Sequence, residues 1–120
     1  MSRTFAVLLA ASVLFIIVGC SDNRITNPAN QPPVITALVV NPEQAVLGDL
    51  VTVSSVAHDP EGGRLNYEWS TTFGYFIGSG ATVTFNTSYC CVVGLNEITL
   101  TVIDLQGNGS ERKIWVDIEK

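Results

Sequence analysis

Positive charge is scarce in this chain of 120 residues, which sets six Lys and Arg against eleven Asp and Glu, with a single His. The basic residues are scattered, and nothing offsets the repulsion between an acidic surface and a phosphate backbone, so nucleic-acid binding is excluded. One histidine, His58, cannot build a zinc site with the few cysteines available. No Gly-x-Ser-x-Gly nucleophile motif accompanies His58 and Asp59. "GYFIGSG" lacks a following Lys-Ser/Thr and enters a strand pattern, so it is no phosphate loop. These gaps leave enzymatic chemistry without its parts, and a non-enzyme is expected. Long apolar runs are missing too. The longest, residues 5–18, has fourteen residues, below the roughly 17–25 of a bilayer-spanning helix.

That run instead has the layout of an export leader, with Arg3 before it and the small residues Gly19 and Cys20 after it. Ile17-Val18-Gly19-Cys20 resembles the lipobox of bacterial lipoproteins. The resemblance implies a lipoprotein signal peptide over residues 1–19. It also implies a diacylglyceryl thioether on Cys20 and a further palmitate-type chain on its freed amine. Each buried CH₂ adds about 0.8 kcal/mol, so two or three chains hold where one is marginal. The other reading is an ordinary secretory leader with a cysteine near its end. Ser21 follows the cysteine; by resemblance to enterobacterial sorting rules this favours the outer membrane of a Gram-negative envelope. The mature chain keeps five basic against eleven acidic side chains, a net charge of −6. Membrane attachment therefore rests on the lipid alone. Residues 20–33 are expected to be the lipidated cysteine and a flexible tether. "SDNRITNPANQPP" has three Asn, three Pro and no apolar period, and its span is at most about 40–45 Å.

From Val34 the pattern turns to period two, broken by turn signals. Val51, Val53, Ser55 and Ala57 share one face; so do Leu65, Tyr67 and Trp69; Val83 and Phe85; Ile98, Leu100 and Val102; and Ile114, Val116 and Ile118. Asn41-Pro42, residues 59–63 and residues 104–109 mark turns. No helical period occurs. About seven short strands over residues 34–120 predict one all-β, immunoglobulin-like sandwich. Trp69 is expected at the centre of the core and Trp115 on the outside.

"NQPPVITALVVNPEQAVLGDLVTVSSVAHDPEGGRLNYEWS", "GSGATVTF" and "NEITLTVIDLQGNGSERKIWVDI" resemble the PKD-type Ig-like domain of bacterial surface proteins over residues 31–120. Two departures stand out: Trp69 is followed by Ser70-Thr71-Thr72-Phe73-Gly74, and Gly63 stands where an acid is common. The resemblance implies a non-catalytic binding, spacer or adhesion module. Some such domains bind calcium at loops of this kind, which singles out Asp59, Glu61 and Asp104. The competing reading makes Asp59 the start of an Asx turn and Asp104 a strand cap, with no cofactor at all.

Cys90-Cys91 admits three states in an exported protein: free or buried thiols, a vicinal disulfide needing a strained turn, or intermolecular pairing. The apolar loop Phe73-Gly74-Tyr75-Phe76-Ile77 and the outward Trp115 suggest a binding surface of Phe73, Tyr75, Ile77 and Trp115. Phe73 and Phe76 have the alternative of capping the open end of the core. The expected function is a lipid-anchored envelope lipoprotein whose domain binds an envelope protein or glycan. The alternative is a structural spacer or assembly component without a ligand site.

Overall fold

A computed structural model describes residues 29–88 and 93–120. The leader, Cys20 and the Cys90-Cys91 pair lie outside the described residues. Eight strands follow in order: β1 (Val34–Asn41), β2 (Gln44–Val46), β3 (Leu50–His58), β4 (Leu65–Thr71), β5 (Tyr75–Ile77), β6 (Thr82–Asn86), β7 (Gly94–Asp104) and β8 (Gly109–Glu119). They form two four-stranded sheets, β1-β3-β6-β5 and β2-β8-β7-β4. All strand pairs are antiparallel except β2 with β8.

The period-two pattern becomes layers because alternate side chains on a strand leave opposite faces of the sheet. On β7, Ile98, Leu100 and Val102 are fully buried, and Val51, Val53, Phe85, Val116 and Ile118 meet them from the other strands. Each large apolar side chain so buried contributes about 1.5–3 kcal/mol. This is the all-β immunoglobulin-like sandwich the pattern predicts.

The structure has one strand more than the expected seven or so, and the two shortest strands are the ones a periodicity reading passes over. The chain crosses from the first sheet to the second at Pro42 and Glu43, and the three-residue β2 then runs parallel to the end of β8. The second short strand corrects an expectation. The segment expected to be an apolar loop contains β5, which pairs Tyr75, Phe76 and Ile77 with Asn86, Phe85 and Thr84. Three residues are too few to display a period of two.

Trp69 is a second correction. It faces inward in phase with Leu65 and Tyr67, but it is only half-buried, touching both halves of the core. Phe85 on β6 holds the deepest place, with Phe76 at 5.5 Å between ring centres and Trp69 at 6.0 Å from Phe76.

Residues 30–33, expected within the tether, are bonded to the domain. The Asn30 side-chain amide donates to Asp104 Oδ2 (2.6 Å), and the Gln31 N–H donates to Glu61 Oε1 (3.1 Å). Pro33 is buried, and its carbonyl accepts from the Ser110 hydroxyl. The chain thus enters the sandwich at the end that carries the β3–β4 and β7–β8 turns.

Candidate functional site

The four side chains expected to share a binding surface do not converge. On β5, Tyr75 and Ile77 alternate with the inward Phe76, so they lie on the outer face of the first sheet. Trp115 alternates with the inward Ile114 and Val116, so it lies on the outer face of the second. These two faces are back to back across the core. Phe73, also exposed, sits in the β4–β5 connection between the sheets.

Trp115 does have neighbours. With 49% of its surface exposed, it lies opposite Glu97 of β7, while Asp117 lies opposite Leu95, itself 72% exposed. On the other side, the crossover from β1 to β2 brings up Asn41, Pro42, Glu43 and Gln44, with Gln44 in register with Asp117. The Asp117 N–H donates to the Glu43 carbonyl (3.0 Å), which fastens the crossover to β8. The result is a groove of about 680 Å³ whose apolar lining is Val40, Pro42, Leu95, Ile114 and Trp115, with carboxylates and carboxamides on its rim. The Trp115 indole N–H and the side chains of Asn41, Glu43, Gln44 and Asp117 make no hydrogen bond to another described residue. Of these residues, only Trp115 was singled out from the sequence. The readable signal for the others was Asp117 in phase with Trp115, whereas "NPEQ" reads only as a turn.

Lys113 shares the outer face with Trp115, two residues away. Its ammonium donates to Glu97 Oε1 (2.9 Å) and to Thr99 Oγ1 (3.1 Å). The hydrogen bond to Glu97 raises its pKa above the ordinary lysine value, against a smaller opposing effect of desolvation and with help from the charges of Glu97 and Glu111. This cation is therefore already matched, and the groove keeps an acidic rim.

The acidic turns are built on their own backbones. Asp59 is buried; its Oδ1 accepts from the Glu61 N–H and its Oδ2 from the Gly63 N–H, both at 3.0 Å. A Cβ on residue 63 would stand 2.6 Å from Asp59 Oδ2, which accounts physically for glycine at that position. Asp104 Oδ1 accepts from the N–H groups of Gln106 and Asn108 at 2.9 Å, and Oδ2 from the side-chain amides of Asn30 and Asn108. Burial pushes the Asp104 carboxyl up, but these hydrogen bonds together outweigh it and leave its pKa below the ordinary carboxylate value. Among the described residues no three His, Cys, Asp or Glu side chains gather as a metal-binding group. His58 lies exposed beside a second hollow of about 450 Å³ that Asp59, Leu65 and Tyr67 also line. The carboxylate nearest in sequence to His58 already holds the turn.

No family model matches the chain, and no curated protein matches it. Solved structures do. A structure of carbohydrate-binding modules from the β-sandwich superfamily is 23% identical over 78% of this chain and 36% of that one, with a TM-score of 0.63. A nucleoside hydrolase-related protein from Saccharophagus degradans, associated with carbohydrate metabolism, is 24% identical over 76% of this chain and 26% of that one (TM-score 0.57). The PKD1 domain of Vibrio anguillarum Epp is 22% identical over 76% of this chain and 98% of that domain (TM-score 0.55). The chain thus spans about a third and a quarter of the first two proteins but nearly the full length of the third. The likeness is one of fold: an immunoglobulin-like, PKD-type β-sandwich.

Proposed function

We propose that this chain is a lipoprotein of the bacterial cell envelope, anchored through Cys20 and favouring the outer membrane where there is one. Its PKD-type domain is a non-catalytic binding module for an envelope protein or glycan. The observation that carries the binding reading is the Trp115 groove, in which a half-exposed indole stands among polar side chains that have no described protein partner. A rigid sheet holding an exposed aromatic among hydrogen-bonding groups is built to recognise rather than to transform. Support for the same class comes from the shared fold of carbohydrate-binding modules and a PKD domain. The anchor reading rests on the lipobox-like Ile17-Val18-Gly19-Cys20.

Metabolic labelling with a fatty-acid analogue tests the anchor. Wild-type protein should take up label and sediment with membranes, and Cys20→Ser should lose label and either be released or remain as precursor. Equal labelling of the variant would remove the anchor. A pull-down from crosslinked envelopes tests the module: capture of neither protein nor glycan would leave a structural spacer.

A further inference from the structure

We infer that the Trp115 groove binds a polysaccharide chain that carries no anionic groups. The inference rests on the binding-module reading and gives that module its ligand class. The groove's exposed apolar surface is interrupted: Val40 is buried beneath it and Ile114 is half-buried. Trp115, Leu95 and Pro42 are exposed, but Glu97 and Asp117 are the cross-strand partners of Trp115 and Leu95, and Glu43 stands on the rim. A stable protein partner buries about 800 Å² per side around an apolar, charge-poor centre, which this pattern does not provide. A sugar ring suits it, because one face is C–H and desolvates against an aromatic ring while the edge is hydroxyl.

The polar complement fits the same ligand. Glu43 and Asp117 can only accept, the indole N–H can only donate, and Asn41 and Gln44 do both. Hydroxyls and ring oxygens use all of these, and each such group here is without a described protein partner. Charge then narrows the class. Lys113, the cation beside Trp115, is taken up by Glu97 and Thr99, so nothing on this face matches a uronate, sulfate or phosphate, and the rim repels them. An amine-bearing polymer keeps the same hydroxyls and ring oxygens and adds a charge pair with Glu43 or Asp117, so the class is set by the absence of anionic groups and takes in neutral and amine-bearing chains alike. The volume, about 680 Å³, lies within the roughly 300–1,000 Å³ of small-molecule sites. β8 is an interior strand of its sheet and the crossover is bonded to it, so the site is preformed.

The test uses the full chain in detergent micelles, retained on insoluble cellulose, chitin, chitosan and calcium-gelled polygalacturonate, with affinity electrophoresis in soluble neutral glucans and xylans. Retention on at least one of the neutral or amine-bearing polymers is expected, with none on polygalacturonate. Trp115→Ala should weaken binding about tenfold or more, the scale of a central aromatic contact. Trp115→Phe should keep most of it, Asp117→Asn should cost severalfold, and Val56→Thr on the opposite sheet should change nothing. Preference for the uronate polymer would overturn the ligand class. Polymer binding indifferent to both Trp115→Ala and Asp117→Asn would overturn the site. If no polysaccharide is retained, the inference falls; a protein captured in the crosslinked pull-down would still uphold the binding module, and an empty pull-down would end both. Equal melting temperatures of wild type and Asp117→Asn guard against misfolding as the cause of any loss.

Discussion

The two tryptophans of this chain differ by environment. Trp69 points inward but from β4, the edge strand of its sheet, so one flank has no neighbouring strand to cover it. Its indole N–H donates to the Gly80 carbonyl (2.9 Å) and its ring rests on Phe76. Trp69→Ala should cost about 3 kcal/mol, the lower end for loss of a large aromatic, while Trp115→Ala should cost under about 1 kcal/mol. Thermal melts of the two variants check this, and equal melting temperatures would refute the inside and outside assignments. Asp104 gives a pH prediction. Against the opposing effect of burial, the donors around it hold its carboxyl below the ordinary carboxylate value. As pH falls, the unfolded chain binds the proton before the folded one does. The stabilisation is therefore complete above the unfolded pKa and is lost as pH falls through the folded pKa. Asp104→Asn places an amide where Asn30 and Asn108 already donate. The variant should melt lower at neutral pH and lose less stability than wild type between about pH 5 and pH 2.

At the scale of elements, the β4–β5 connection leaves no room for a side chain at one of its positions. It carries the chain from one sheet to the other, and Gly74 lies in it with φ +95°. A Cβ there would meet Phe85 Cε1 at 2.5 Å and Cζ at 2.9 Å. Gly78 has the same φ of +95° but open space around it. Gly74→Ala should therefore add overpacking to backbone strain, about 2–4 kcal/mol in total, against about 1 kcal/mol for strain alone in Gly78→Ala. Denaturant unfolding of the pair separates the two effects, and similar costs would show that Phe85 yields. A comparable device closes the β2–β3 turn. Fully buried Thr87 accepts the Gly48 N–H (2.8 Å) and donates to the Asp49 carbonyl (2.9 Å), so a polar side chain at the end of β6 is satisfied by the turn it supports.

For the whole molecule, the contacts of Asn30, Gln31 and Pro33 fix the end at which the chain enters the sandwich. Those contacts place the acidic turns at the entering end, whereas Trp115 lies six residues along β8 from its start at Gly109, about 20 Å at the rise of a strand. The groove is thereby set away from the end at which the chain enters the sandwich. The same contacts bear on calcium, which takes six to eight oxygens. Both oxygens of Asp59 and of Asp104 accept hydrogen bonds, and one of Glu61 accepts the Gln31 N–H. The melting temperature is expected to move by no more than a degree or two between chelator and about 5 mM Ca²⁺, with Mg²⁺ as the control for screening of an acidic protein. A calcium-specific rise abolished by Asp59→Asn would make these turns a metal site.

What the sequence determined by itself was everything that depends on neighbours along the chain. Strand alternation sorted Val116 from Trp115, and the Asp-Pro-x-Gly turn placed Asp59, because a strand's faces and a turn's hydrogen bonds are set within a few residues. Tertiary structure alone decided what depends on meeting across sheets. It separated Tyr75 and Ile77 from Trp115, moved Trp69 from the centre of the core to its edge, and drew Asn30 onto Asp104, 74 positions away. It also assembled the groove, whose crossover residues read only as a turn until the β2–β8 pairing set Gln44 beside Asp117. Periodicity says which way a side chain points. Strand order, which no local pattern encodes, says what it points at.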